Sequence, residues 1–248
     1  MIQFLIAPDF PPQYFAGWHL LNTRLQRQIN TAIHLQTPAS AQEELALIAS
    51  GTVDIIYANP FDAAQLVRNM GYLPLVRPVN KPDEMVIATA ANQPLQTLAD
   101  IKPDMRVLHT ENRDVKLIGL RLLEAVDLNE DNLQWLEVDA FQAVARHLID
   151  GDAEVGFFLA SAYQGLSSLT LNQLRTLMES KITDISHVLL LHPRHSAQQE
   201  KLRSAFLEMG NDAAGQMVLE DLGLPEGFET LTQEDAEFMI DLMETLLD

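Results

Sequence analysis

Gly51-Thr52-Val53-Asp54-Ile55-Ile56-Tyr57 lies between an amphipathic segment that begins at Leu45 and a second helical segment that includes Ala64. The order reads as helix, glycine stop, solvent acid, short apolar strand ending in an aromatic, and helix. Glycine suits the left-handed residue just past a helix end. The run Asp54 to Tyr57 is short and apolar, as a buried parallel strand is. The same order returns one hundred positions later, from Val144 through Gly151-Asp152-Ala153-Glu154-Val155-Gly156-Phe157 to Gln164. Two such units predict two similar α/β lobes, with function expected in the cleft between them.

Working outward, strand and helix alternate on both sides of each copy, which means parallel sheets built from right-handed βαβ units. The spacing predicts strands at Gln3–Ala7, Ala32–Gln36, Asp54–Tyr57 and Met85–Thr89 and helices at Tyr14–Gln28, Ala41–Ala49 and Phe61–Asn69. Ser40-Ala41-Gln42-Glu43 is a capping box for the second helix. In the second half, strands are expected at Arg106–His109 and Leu133–Val138 and helices at Val115–Ala125 and Phe141–Ile149. An apolar strand ending at Leu191 carries the chain back, Ser196 caps a helix reaching Met209, and Thr232-Gln233-Glu234-Asp235 opens a terminal helix. The expected division is 1–88 plus 188–248 for a discontinuous first lobe and 89–187 for an inserted second, with crossovers near Ile87–Ala90 and Ser186–Leu190 as the hinge.

At 248 residues the chain suits two lobes, and 47% apolar residues supply cores for both. No apolar run approaches the roughly 20 residues of a membrane helix. Met1–Pro8 lacks the pattern of a signal peptide, so the chain as it stands reads as cytoplasmic, or as periplasmic if a leading segment has been removed. Zero Cys excludes disulfides, thiol catalysis and Cys-ligated metal. A net charge of −19 opposes nucleic acid and anionic membranes. The acid is uneven: no Lys or Arg follows Arg203, while carboxylates continue from Glu208 to Asp248. That tract is either a solubilising face or a docking surface for a basic partner.

Ligands of parallel α/β sheets sit beyond the carboxyl ends of strands, where helix N-termini offer free N–H groups. In the first lobe this singles out Tyr14, Thr37, Tyr57, Asn59 and Phe61; in the second, His109, Thr110, Arg113, Asp139, Phe158 and Ser161. Tyr57 and Phe158 also read as core, and Asn59-Pro60 as a turn starter. Arg113 at a helix start opposes the helix dipole, which calls for an anionic neighbour, either a ligand or Glu111 or Asp114. The seven His residues form no metal motif, and no Gly-rich phosphate loop or Gly-x-Ser-x-Gly elbow is present. No cofactor or metal is expected.

The whole chain resembles the phosphonate-binding periplasmic protein family, the solute receptors of phosphate, phosphite and phosphonate importers. The resemblance is carried by Gly51-Thr52-Val53-Asp54-Ile55-Ile56-Tyr57-Ala58-Asn59-Pro60, by its counterpart Gly151–Tyr163, by Ile182–Val188 as a return strand, and by Leu222–Phe228 with Thr232–Met239 at the close. It implies a two-lobed α/β fold of the type II periplasmic-binding class, each lobe a mainly parallel sheet flanked by helices, closing on a ligand by hinge motion. It also implies a Ser-Thr-Ser-Gly run for the oxyanion, and the matching stretch here is Asn112-Arg113-Asp114-Val115 after Glu111. Carboxylates where a dianion's oxygens would go disfavour phosphate and phosphonate. The expected function is trapping of a small polar solute, without catalysis, with a transporter permease or a regulatory protein as partner. Two alternatives are a regulatory module docking through the acidic tract, and a cytosolic lyase-like enzyme on the same fold using His109 and Asp139 as acid and base.

Overall fold

The computed structural model of the chain describes residues 1–8, 10 and 12–247. It divides into two compact units, Met1–Pro82 with Asp184–Thr245, and Asp83–Thr183. The chain passes between them at Pro82–Asp83 and Thr183–Asp184, ahead of the crossovers read from sequence. Ile87–Ala90 lies wholly within a strand, Met85–Ala90, and Val188–Leu190 within another, Val188–Leu191, while Ser186 and His187 precede it.

The first unit opens with β1 (Ile2–Ile6), α1 (Phe15–Ile29), β2 (Ile33–Gln36), α2 (Ala41–Ala49), β3 (Ile55–Ala58), α3 (Pro60–Arg68) and β4 (Leu73–Pro78). The second contains β5 (Met85–Ala90), β6 (Arg106–His109), α4 (Arg113–Glu124), β7 (Gln134–Glu137), α5 (Phe141–Asp150), β8 (Val155–Leu159), α6 (Ala160–Gln164), α7 (Ser168–Leu171) and β9 (Leu174–Glu179). The chain then completes the first unit with β10 (Val188–Leu191), α8 (Gln199–Leu207), α9 (Ala213–Asp221), β11 (Phe228–Thr230) and α10 (Gln233–Leu247).

Among the described residues the first unit forms a six-stranded sheet ordered β11-β4-β10-β3-β1-β2, and the second a five-stranded sheet ordered β7-β6-β8-β5-β9. β1 pairs in parallel with β2 and β3, and β6 with β7 and β8. These are the helix-connected cores that the repeat predicts. The sheets are nevertheless mixed rather than mainly parallel. β10 inserts between β3 and β4 and runs against both, and β5 sits between β8 and β9 in the same way. Both inserted strands arrive from the other unit without a helical crossover of their own, so nothing imposes the parallel direction.

Local chemistry accounts for the element ends. Gly51 (φ 69°) and Gly151 (φ 84°) both occupy the left-handed region in which a helix terminates. Ser40 caps α2 by accepting from Glu43 N at 3.3 Å, while the Glu43 carboxylate reaches back to Ala39 N at 2.7 Å. Pro60 opens α3, where its missing N–H costs nothing. The Ser196 cap does not form: Pro193–Gln198 is a 3₁₀ turn, with His192 Nδ1 accepting from Arg194 N, and α8 begins only at Gln199.

Each sheet is apolar on both faces. In the first unit Phe4, Ile6, Trp18, Tyr57 and Phe206 pack on one face, and Leu5, Ile56, Val188 and Met239 on the other. In the second, Val107, Ile118 and Phe157 oppose Leu108, Val144 and Phe158. Full burial of each such side chain contributes about 1.5–3 kcal/mol.

Candidate functional site

The acid of the first copy is not at the surface. Asp54 is 4% exposed at the amino end of β3, and one carboxylate oxygen accepts Gln3 N at 2.8 Å. The other takes Arg194 Nε at 2.6 Å and His195 Nε2 at 2.8 Å. Burial pushes this carboxyl up, but the Gln3 N–H, Arg194 and His195 together hold it below the usual range. Arg194 also donates to the carbonyls of Gly51, Thr52 and Val53, at 2.7, 2.8 and 3.0 Å. Tyr72 donates its hydroxyl to Val53 O at 2.9 Å, and burial pushes that hydroxyl up to about 12. Glu154 repeats the device in the second unit, taking Arg106 N at 2.8 Å and Arg106 Nη2 at 2.6 Å. The acid of each copy therefore locks the start of the neighbouring parallel strand and lies at the strand end opposite the ligand positions.

At the carboxyl ends of the first sheet, Tyr57 is 7% exposed and its ring lies between Trp18 at 4.7 Å and His187, stacked at 5.0 Å. Phe10 abuts the Trp18 ring at 6.3 Å. Asn59 caps α3: its Oδ1 accepts Asp62 N at 2.8 Å and its Nδ2 donates to Asp62 Oδ2 at 3.0 Å. Tyr14 is half-buried against Gly223, where an added Cβ would lie 2.5 Å from Tyr14 Cζ. Thr37 and Phe61 are half-buried, in the β2–α2 connection and the first turn of α3.

Trp18 and His187 escaped the sequence reading. Trp18 fits the apolar stripe of α1, and His187 lies on the approach to an apolar strand. The signal that separates Trp18 from ordinary core is its indole Nε1, which is buried with no hydrogen-bond partner among the described residues. An unmet buried donor costs about 1–3 kcal/mol.

In the second unit, His109 is 7% exposed and its Nδ1 lies 2.8 Å from Thr110 O. A carbonyl only accepts, so Nδ1 carries the hydrogen. The ring edge meets Trp135 at 5.6 Å. Thr110 is 8% exposed, and Asn112 caps α4 by accepting Val115 N at 2.9 Å. Arg113 is half-buried at the first position of α4, beside Asp114, which is 3% exposed. Ser161 is half-buried in the first turn of α6, and Asp139 is exposed. Phe158 is fully buried among Phe141, Tyr163 and the β8 core.

One electrostatic pattern spans both units. The early turns of α2, α3 and α4 each carry a buried acid, Glu44, Asp62 and Asp114 respectively. The positive helix ends that could receive an anionic ligand thus already face carboxylates of the chain itself. Among the described residues no group of three or more His, Asp or Glu could hold a metal ion, and no helix is long and apolar enough to cross a membrane.

This fold is that of the type II periplasmic-binding proteins. The family model describing the periplasmic substrate-binding protein of phosphonate ABC transporters matches residues 4–236, and the chain belongs to that family. Among solved structures it is similar to PhnD1 from Prochlorococcus marinus (MIT 9301) in complex with methylphosphonate, at 10% identity, with 99% of this chain and 97% of that one covered and a TM-score of 0.83. It is similar also to a binding protein component of an ABC phosphonate transporter from Pseudomonas aeruginosa (15% identity, 98% and 86% covered, TM-score 0.80). A third is the periplasmic aliphatic sulphonate binding protein SsuA from Escherichia coli (14% identity, 98% and 91% covered, TM-score 0.71). No curated protein matches the chain. Identities this low carry the fold alone. The family is one of periplasmic substrate-binding proteins, which lends no support to an acid–base pair of His109 and Asp139.

Proposed function

We propose that this chain is a solute receptor that holds a small polar ligand between its two units, closes over it, and delivers it to a transporter permease. Closure is driven only by the ligand's greater affinity for the closed state. The ligand is a neutral or cation-bearing solute rather than a phosphonate dianion. The first turn of α4 carries this reading: Asn112 occupies the Val115 N–H, and Asp114 is buried beside it, where the family resemblance calls for hydroxyls. A buried carboxylate in that turn opposes a second anion. Glu44 and Asp62 repeat the arrangement on α2 and α3.

A thermal-shift screen against phosphate, methylphosphonate, an alkanesulfonate, amino acids, polyamines and short organic acids tests it. At about 100 times Kd a ligand adds about 2.7 kcal/mol, which for a chain of this size raises Tm by roughly 5–10 °C. A shift with an amino acid or polyamine and none with methylphosphonate is the expected result. A shift with phosphate or methylphosphonate overturns the altered ligand class but keeps the receptor. No shift with any of them overturns the receptor itself.

A further inference from the structure

We propose that Trp18 is a ligand-contacting, specificity-determining residue of the first unit, donating its indole Nε1–H to an oxygen of the solute. The inference rests on the solute-receptor reading and adds the chemistry that one wall of the site selects. The two tryptophans of the chain are treated differently by the fold. Trp135 Nε1 donates to Glu130 O at 2.9 Å, whereas Trp18 Nε1 is buried with no acceptor among the described residues, on a residue only 2% exposed. As filling for the sheet face, phenylalanine would serve without leaving a donor unmet.

Position points the same way. Trp18 lies near the start of α1, which follows β1, and its ring borders Phe10 in the β1–α1 connection and Tyr57 at the end of β3. The carboxyl ends of parallel strands are where ligands of such sheets bind. Tyr57 extends the aromatic surface to His187. An indole N–H donates and never accepts, so it selects a carbonyl, carboxylate, hydroxyl or sulfonate oxygen and gives nothing to an ammonium group. Together with the buried acids at the helix starts, this describes a solute bearing an oxygen acceptor without a net dianionic head, such as an amide or a zwitterion.

The test uses the full chain and the probes glutamine, arginine, taurine, methylphosphonate and putrescine. Thermal shift finds which of them bind, and a 1H–15N spectrum follows the two indole cross-peaks, that of Trp135 being assigned by its loss in Trp135→Phe. The expected result is that an oxygen-bearing probe stabilises the protein and moves the Trp18 cross-peak. Trp18→Phe should then weaken that probe about tenfold. If Trp18→Phe does not fold, the cross-peak of the unaltered protein decides. A probe that binds without moving that cross-peak, equal affinity in Trp18→Phe, or binding of putrescine alone overturns the role of Trp18 and leaves the receptor standing. Failure of every probe to bind removes the receptor reading and this inference with it.

Discussion

Asn59 stands at a ligand position in the sequence, yet both polar atoms of its side chain are committed to Asp62. Asn59→Ala should therefore cost about 1 kcal/mol of stability through the lost cap, seen as a lower Tm in the absence of any solute. An unchanged Tm would show that the cap contributes nothing. Asp54 gives a pH-dependent counterpart. Its carboxyl is depressed below 3.8 in the folded chain, so its contribution is present above that value and is lost as pH falls through the folded value. Asp54→Asn should lower stability by about 2 kcal/mol at neutral pH, through lost charge-assisted hydrogen bonds. The gap from the parent should narrow in acid, below about pH 4. A gap that stays constant down to acid unfolding would mean that the carboxylate charge is not what stabilises the strand start. His192 adds to the same acid lability: burial, with Arg194 and His195, pulls its ring below 6.5, so neutral His192 favours the fold above that pH.

At the scale of elements, α10 shows how an acidic tract can be structural. Glu237, Asp241 and Glu244 follow one another along one side of the helix, and all three meet the guanidinium of Arg68 on α3. That contact, with Met239 and Ile240 buried beneath, fastens the last helix to the first unit. It also withdraws three carboxylates from the docking face that the charge run suggested. Arg68→Met should lower Tm at low ionic strength, and the difference should shrink at about 1 M salt, where the Debye length is about 3 Å; an equal loss at both would point to packing instead. The seam between α5 and β8 is tight. A Cβ at Gly156 would come within 2.6 Å of Leu148 Cδ1 and 2.7 Å of Val144 Cγ1, so Gly156→Ala should cost about 1–3 kcal/mol by overpacking. Chemical denaturation reads that loss, and a neutral result would show that Leu148 and Val144 can yield.

For the whole molecule, the proposed closure predicts a smaller radius of gyration by small-angle scattering once a stabilising solute saturates the protein. An unchanged radius would mean binding without closure. The sequence by itself determined the two related α/β units, because a helix, a left-handed glycine stop and a buried apolar strand are local patterns that fix their own conformation. Gly51 with Ile55–Ala58 and Gly151 with Val155–Leu159 were legible for that reason, as were the caps at Ser40 and Thr232. The strands β9 and β11 and the helix α9 were not read from sequence, since short, half-exposed elements take their conformation from the neighbour they pair or pack against. Tertiary structure alone decided that β5 and β10 run against their neighbours and that the acid of each repeat faces inward to a backbone N–H. It alone decided, too, that one of two tryptophans keeps a buried donor with no acceptor among the described residues. Each of these depends on which distant atoms a side chain meets, and partners supplied from far along the chain leave no mark in local spacing.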